Sequence, residues 1–327
     1  MNNTQPFACL SLDLDNHWAY LKTHNESVWA KFPSYLEHLI PRVLEFLDAL
    51  NLKITFFVVG QDAAFQQNRR ILAEIVKNGH DIGNHSFHHE AWLPSNPAAA
   101  IRDEIVAAER AILEATGHKP VGFRGPGFSW SAEMINTLAE LDYLYDASTL
   151  PTYLGPLARL YYFAKSRLAA QEKNERRLLF GRARDGRRPL KPYFWLLPSG
   201  RRLLEIPVTT IPLFKVPFHQ SYLLYLSQYS PQLMRNYLDA SVRLCRLFQT
   251  GISFLLHPLD FLDADEVPDL AFFPGMRIRE KDKSLLLQSA VQRISRSFQF
   301  VDMKTYAEVL LGRRGGLSIR PLSLEPR

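Results

Sequence analysis

The chain has 327 residues, of which 46% are hydrophobic and 22% charged, and its formal net charge at pH 7 is +6. This composition excludes a wholly disordered chain, and the length suits one α/β barrel of about 250 residues or more. Apolar runs such as 54–60 and 252–256 are far shorter than the roughly 20 residues of a membrane-spanning helix. The two cysteines, Cys9 and Cys245, have no metal-ligand spacing and are predicted to be buried thiols.

Eight short apolar runs alternate with helical stretches, which predicts repeated strand–helix units and a parallel sheet. One helix is predicted to begin at Asn96 and Pro97 and to end at Gly117, and another to run from Ser230 to Gly251. This pattern alone fits either a barrel or a doubly wound sheet. The predicted strands are 7–15, 53–60, 81–86, 121–127, 143–148, 203–209, 252–257 and 298–302.

The segment 151–202 interrupts this rhythm, because it is much longer than a usual connection between elements. It is predicted to be an insertion that is partly helical at 157–179. We therefore expect one barrel over 1–311, carrying this insertion, and a C-terminal tail over 312–327.

The positive charge of the chain is concentrated inside this insertion. Residues 159–202 contain 13 Lys and Arg against three acidic residues, a local charge of +10, whereas the rest of the chain sums to −4. Aromatic residues lie among these cations at 161–163, 180 and 193–195. Such a mixture is typical of a segment that contacts an anionic membrane surface, although a solvated loop or an oligomer contact remains an alternative.

Polar residues follow several predicted strands at their carboxyl ends, where parallel barrels form active sites, and this favours the barrel. Asp13 and Asp15 face the same way because the side-chain period of a strand is two. Two carboxylates in a partly dry site repel each other unless a cation lies beside them. Solvated aspartates at a strand end are the alternative interpretation.

Two histidines, His85 and His89, are four residues apart and face one side if the chain turns helical after its strand. Together with one carboxylate they form the three-ligand set of a catalytic zinc, which leaves a fourth position for water. A solvated turn is the alternative. Arg124 lies in an apolar strand and needs a carboxylate partner if it is buried. His257 ends another apolar strand.

These motifs occur in a definite order: D-x-D at 13–15, H-S-x-x-H at 85–89, R-x-P at 124–126 and L-x-H at 255–257. In this order they resemble the polysaccharide deacetylase family, carbohydrate esterase family 4, over roughly 7–150 and 203–305. The resemblance implies a distorted (β/α) barrel of seven or eight strands. It also implies a metal-dependent hydrolase that cleaves carbon–nitrogen bonds other than peptide bonds.

The resemblance implies a role for each motif residue. Asp13 would be the general base, Arg124 would hold it, and His257 would be the general acid. Zn2+ or another divalent metal would bind to Asp15, His85 and His89.

Three further residues are assigned to substrate binding on the same ground. Leu255 would line the acyl pocket, and a backbone N–H near Phe128 would bind the oxyanion. Phe128 stands where the family usually has a tyrosine, and Asp146 is the candidate for the aspartate of the family's fourth motif. The group that orients His257 is left open.

Residues 1–6 contain no basic residue, which predicts that a secretory signal is absent and that the protein is cytoplasmic. With the basic segment 159–202, this predicts a peripheral enzyme at the inner face of the plasma membrane. The expected substrate is an N-acetyl or N-formyl amino sugar on a polyprenyl phosphate or lipid, in envelope glycan or lipopolysaccharide biosynthesis. The motif at 13–16 is similar to the subgroup that contains the undecaprenyl-linked aminoarabinose deformylase.

Two other functions stay open. One is an allantoinase-like cyclic amidase that acts on a small soluble substrate. The other is a nucleic-acid-binding protein with a degraded barrel. The second is disfavoured, and no nucleic acid is expected, because the catalytic residues are all present and no recognition motif accompanies the charge.

Overall fold

The computed structural model describes residues 5–24, 27–157, 159–160, 183–312 and 316–322. Within these ranges ten strands form a single sheet, whose members are hydrogen-bonded in the order β10-β6-β7-β5-β4-β3-β2-β1-β8, with β9 paired to β1. The strands are β1 (Phe7–Leu14), β2 (Thr55–Val58), β3 (Asp81–Asn84), β4 (Gly122–Phe123), β5 (Tyr145–Asp146), β6 (Tyr193–Leu196), β7 (Arg202–Glu205), β8 (Ile252–Leu256), β9 (Gln299–Val301) and β10 (Ser318–Pro321).

Helices connect most of these strands, and none in the described ranges has the length and apolarity needed to cross a membrane. The helices are α1 (His17–Thr23), α2 (Leu36–Ala49), α3 (Gly60–Ala64), α4 (Gln66–Lys77), α5 (Ala98–Thr116), α6 (Ala132–Glu140), α7 (Gln220–Ser227), α8 (Pro231–Leu247), α9 (Glu280–Ser295) and α10 (Met303–Gly312).

The sheet is parallel except between β6 and β7, which are antiparallel. The chain after β7 carries the sheet round to β8. There the N–H of Thr209 donates to the carbonyl of Ser253 (3.1 Å), and the N–H of Ser253 donates to Thr209 Oγ1 (2.6 Å). The sheet thus curls into a distorted barrel, and the irregular chain after β7 connects its two ends through these hydrogen bonds to β8. This arrangement confirms the predicted α/β fold class.

All eight predicted strands are present, although each is shorter than predicted. Two strands were missed, because β6 lies in the predicted insertion and β10 in the predicted tail. Tyr193 and Trp195 of β6 are buried, so the prediction that these aromatic residues face a membrane is wrong. Most of the helical stretch predicted at 157–179 lies outside the described residues, as does the centre of the basic segment.

Both helices predicted from their capping residues are present, and each has one end where it was predicted. Helix α5 ends at Gly117, whose φ of 75° is left-handed, as predicted, but its N-cap is Pro97 instead of Asn96. Helix α8 begins as predicted, with Ser230 Oγ accepting from the N–H of Leu233. It ends at Leu247 instead of Gly251, and Gln249 takes a left-handed φ of 52° soon after.

Alternate residues of β1 face two different apolar layers. Ala8, Leu10 and Leu12 belong to the cluster between the sheet and its surrounding helices, whereas Cys9 belongs to the barrel interior. Ser11 and Asp13 share the inward face with Cys9, which places their side chains towards the barrel mouth. Both cysteines are free and buried, as predicted. The interior cluster includes Cys9, Phe57, Tyr145, Leu204, Met303, Tyr306 and Leu310.

This interior has no room for an additional methyl group at β4. A Cβ at Gly122 would overlap the ring of Tyr145, which is completely buried and cannot move aside. We expect Gly122→Ala to lower the free energy of unfolding by about 1 to 3 kcal/mol, measured by urea denaturation. Gly312→Ala is the matched control, because Gly312 has open space around its Cβ position. Equal stability of the two variants would contradict the packing argument.

Candidate active site

Three side chains meet beyond the carboxyl ends of β1 and β3. His89 Nε2 lies 2.9 Å and His85 Nε2 lies 3.2 Å from Asp15 Oδ1. The ligand atoms of the three residues all lie within 4.8 Å of one another. The structure therefore brings together the three residues that the sequence proposed as metal ligands.

The hydrogen bonds around this cluster leave its inner atoms without partners. His85 Nδ1 lies 2.6 Å from the carbonyl oxygen of Arg124, and since a carbonyl only accepts, this nitrogen carries the hydrogen. The lone pair of His85 Nε2 then points towards Asp15. Asp15 Oδ1 and His89 Nε2 are buried and have no hydrogen-bond partner. Two imidazole nitrogens and one carboxylate oxygen that converge in this way form an N2O donor set, which suits zinc, so the residues fit a divalent metal.

The charge state of Asp15 also suits a metal ligand. Burial raises the pKa of Asp15, but the interactions of its carboxylate with His89 and His85 outweigh burial and hold this pKa well below its usual range. The carboxylate is therefore ionised over the whole working range of pH.

The loop that carries the two histidines is not helical, so the condition under which their spacing places both imidazoles on one side is not the one that is met. Ser86 and His89 have left-handed φ values of 62° and 54°. The N–H of Ser86 donates to Asn84 Oδ1 (2.8 Å), and the next two N–H groups, of Phe87 and His88, donate to Oε1 of Glu104 on α5 (3.1 and 2.6 Å). These bonds hold a strained turn that places both imidazoles on one side.

Asn16 fixes the backbone just after Asp15, and the sequence analysis missed it. Asn16 Nδ2 donates to Ser34 Oγ (2.9 Å) and to Asp62 Oδ1 (2.7 Å), while Asn16 Oδ1 accepts from the N–H of Tyr35 (3.2 Å). The hydroxyl of Tyr35 in turn donates to the carbonyl of Asp15. An asparagine directly after the D-x-D motif was the available signal.

Arg124 and Asp13 form a buried ion pair next to the cluster. Arg124 Nη1 donates to Asp13 Oδ1 (2.6 Å) and to Ser11 Oγ (2.9 Å), and Nε donates to the carbonyl of Ala147 (3.1 Å). The guanidinium carbon lies 4.2 Å from the ring centre of Phe57. The contact between Arg124 and Asp13 is the one that the family resemblance implied.

Two of the predicted substrate-binding residues lie near the carboxyl ends of β8 and β4. Leu255 is completely buried on β8, where it pairs with Ser11 of β1. Phe128 is half-buried with a left-handed φ of 59°, and its own N–H donates to the carbonyl of Gly125 (3.1 Å). The N–H of Phe128 is therefore not a free donor for an oxyanion.

Asp146 does not bind substrate as predicted, because it is buried and its carboxylate is engaged inside the protein. Asp146 Oδ1 accepts from Ser148 Oγ (2.6 Å), and its register partner on β7 is Glu205. No ion pair joins Asp146 to His257 within the part of the chain that the structure describes.

His257 is half-buried at the end of β8, and its surroundings were not predicted. Its N–H donates to Asp260 Oδ2 (2.8 Å), and its ring centre lies 6.2 Å from that of His219. Burial, together with the nearby His257, lowers the pKa of His219 to about 3. His219 therefore presents a neutral imidazole beside the predicted general acid.

Comparison with known proteins finds matches to one family. The sequence profile of the polysaccharide deacetylase family matches residues 21–145, a range that contains His85, His89 and Arg124 but begins after Asp15. A chitooligosaccharide deacetylase of Bradyrhizobium sp. is 32% identical over 101 residues, which are 31% of this chain and 45% of that protein. The peptidoglycan-N-acetylglucosamine deacetylase PgdA of Listeria monocytogenes is 31% identical over 86 residues, 26% of this chain and 18% of that protein.

The chain thus spans less than half the length of these two relatives. A solved structure from Mycobacterium smegmatis, described as that of a candidate polysaccharide deacetylase, superposes with a TM-score of 0.62 at 18% identity. The superposition covers 100% of this chain and 96% of the other chain. At this identity it establishes a shared fold.

The cluster geometry predicts that the two neighbouring aspartates differ in their effect on metal binding. We expect Asp15→Asn to lower the affinity for Zn2+ by more than about a hundredfold, because it removes a charged ligand. Asp13→Asn is the matched control and should keep the affinity within about tenfold, since Asp13 pairs with Arg124. Competition with a chromophoric chelator measures both values, and equal losses would contradict the assignment.

Proposed function

We propose that this chain is a member of the polysaccharide deacetylase family and hydrolyses the N-acyl group of an amino sugar with the help of a divalent metal. One observation carries the proposal: the ligand atoms of Asp15, His85 and His89 converge beside the buried pair of Asp13 and Arg124. The metal ligands, the proposed base Asp13 and the arginine that orients it thus lie together at one end of the barrel.

The names of the relatives support an N-acetylated amino sugar as the substrate class. They are deacetylases of peptidoglycan N-acetylglucosamine and of chitooligosaccharides. In both cases the bond cleaved joins an acetyl group to the nitrogen of a hexosamine. We therefore assign the same bond type to this chain.

The residues can divide the reaction between them. When bound, a divalent metal lowers the pKa of water and polarises an acyl carbonyl. Asp13, which Arg124 holds in one orientation, takes the proton of the attacking water. His257 gives a proton to the amine nitrogen as the carbon–nitrogen bond breaks, so that acetate or formate and a free amine result.

The role of Asp13 predicts a large and specific loss of activity. We expect Asp13→Asn to reduce kcat for acetate release from N-acetylglucosamine oligomers by about 10²- to 10⁴-fold while the protein still binds metal. Asp142→Asn is the control, because the Asp142 side chain is 88% exposed and lies at the surface. Equal acetate release by Asp13→Asn and wild type would show that Asp13 is not the general base.

A finer form of the proposal places the sugar on a polyprenyl phosphate or another lipid, with an acetyl or formyl group. Its support is the +10 charge of 159–202, of which the structure describes exposed arginines at Arg184 and Arg187. Cations at an anionic surface would bring the enzyme to lipid-linked substrate. Assignment to lipopolysaccharide biosynthesis and to the aminoarabinose deformylase subgroup depends on this finer form. A cyclic amidase would instead open a ring without releasing an acid.

The lipid part can be tested by flotation of the full-length protein with vesicles. We expect flotation with vesicles that contain phosphatidylglycerol and none with phosphatidylcholine alone. Replacing both Arg184 and Arg187 by Glu should weaken binding by more than about tenfold, because each basic residue contributes about 1 kcal/mol. Absence of flotation with both lipids would contradict binding to a membrane surface, whereas the proposal of deacylation would be unaffected.

A further inference from the structure

A buried pair of carboxyl groups lies next to the candidate active site and has no part in the roles assigned above. Asp146 and Glu205 are register partners on the parallel strands β5 and β7. Their exposed fractions are 1% and 0%. Burying two adjacent carboxylates costs much free energy unless a proton or cation compensates them.

The hydrogen bonds of the two carboxyl groups are unequal. Glu205 Oε1 accepts from the N–H and the hydroxyl of Thr149 (3.1 and 2.6 Å), and Oε2 accepts from the indole N–H of Trp195 (3.1 Å). Asp146 Oδ1 accepts from Ser148 Oγ (2.6 Å), whereas Asp146 Oδ2 has no donor in the described structure. Donors therefore surround Glu205 and leave one oxygen of Asp146 without any.

Arg188, a cation near this pair, has other partners. Arg188 stacks on Trp130 and Trp195, with its guanidinium carbon 3.9 and 5.1 Å from their ring centres, and its Nε donates to Asp185 (3.0 Å). Burial raises the pKa of Asp146, and burial together with the charge of Asp146 raises that of Glu205 well above its usual value. One proton between two like groups is the ordinary solution to such a contact.

We propose that Asp146 and Glu205 share one proton in a hydrogen bond between their carboxyl groups, and that the pair positions the loop 124–128 of the active site. A shared proton leaves one negative charge on the two groups together, and the donors around Glu205 and the hydroxyl of Ser148 stabilise that charge. The inference rests on the proposed function for its meaning in catalysis.

A short chain of bonds connects the pair to the site. Ser148, which donates to Asp146, accepts the N–H of Gly125 through its Oγ (2.8 Å). Gly125 follows Arg124, whose guanidinium holds Asp13 and whose carbonyl holds His85. One arginine thus orients both the predicted base and a predicted metal ligand, and the carboxyl pair fixes the backbone beside it.

The loop itself leaves little freedom for adjustment. A Cβ at Gly125 would overlap the carbonyl of Ser129, so the chain is closely packed there. Ala147, between Asp146 and Ser148, accepts from Arg124 Nε (3.1 Å) and donates its N–H to the carbonyl of Phe123 (2.8 Å). A shift of residues 146–148 would therefore move Arg124 directly. Asp146 and Glu205 are positioning residues, since neither touches the site where substrate would bind.

The test compares two amide substitutions that differ in where they place a hydrogen. In Asp146→Asn an amide N–H can donate to Glu205 in place of the shared proton, and the amide oxygen still accepts from Ser148. In Glu205→Gln the amide group must turn its hydrogens towards the N–H of Thr149 or of Trp195, so that donor faces donor. Asp146→Ala removes both functions and is the matched control for the asparagine variant.

The first readout is amide hydrogen exchange at Gly125 in the full-length protein, which needs neither metal nor substrate. We expect exchange in Asp146→Asn to stay within about threefold of wild type, and exchange in Glu205→Gln and Asp146→Ala to accelerate by more than about tenfold. The infrared band of protonated carboxyl groups should also be weaker in Asp146→Asn than in wild type. Equal exchange in the two amide variants would overturn the proposal that the hydrogen bonds of the pair control the position of the loop.

Ser148→Ala keeps the inference testable if Glu205→Gln does not fold. This variant leaves the carboxyl pair intact and removes only its connection to Gly125. Faster exchange at Gly125 in the folded Ser148→Ala protein is the expected result. Unchanged exchange would overturn the positioning of the loop by the pair.

Activity gives the second readout and separates this inference from the proposed function. If wild type releases no acyl group from any amino sugar, the proposed function fails, while the exchange results still decide the carboxyl pair. If wild type is active, we expect kcat to fall roughly tenfold to a hundredfold in Glu205→Gln at an unchanged KM. Asp146→Asn should restore most of the kcat that Asp146→Ala loses, and equal kcat in all folded variants would overturn the positioning role.

Discussion

A completely buried arginine is the constraint on which the rest of the site depends. Arg124 carries a charge into the barrel interior, where only a fixed carboxylate and oriented dipoles can compensate it. Asp13, Ser11 and the carbonyl of Ala147 supply them. Because the same residue also accepts from His85 through its own carbonyl, the geometry of the base and of the metal ligands is coupled through one backbone position. The site is thus organised from strand β4 outwards.

Much of this arrangement could be predicted from the sequence, because it follows from strand geometry. Asp13 and Asp15 share a face through the period of two, and carboxyl ends of neighbouring parallel strands lie at one mouth. Partners that come from distant elements could not be predicted. Glu205 showed the same signal as Asp13, an acidic residue in an apolar strand, but nothing local indicates that its register partner is Asp146.

His85 and His89 lie side by side, as expected from their spacing, although the turn between them is not helical. A spacing of four residues places both side chains on one side if the turn is helical, yet the turn that forms has left-handed residues at Ser86 and His89. The side chains of Asn84 and Glu104 hold it, the second from helix α5. Spacing limits how far apart two side chains can lie, whereas the backbone between them is decided by tertiary partners that a local pattern does not contain.

The segment 159–202 combines two environments that composition cannot distinguish. Cations and aromatic residues lie side by side along it, which is equally typical of a membrane-facing surface and of a strand flanked by charge. The alternation in β6 is the signal that separates them, since Tyr193 and Trp195 are buried while Phe194 and Leu196 are half-buried. Trp195 also donates to Glu205, so this end of the segment contributes to the barrel and to its carboxyl pair. The proposed role at a lipid surface would therefore belong to the exposed cations of the segment and not to the aromatic residues of β6.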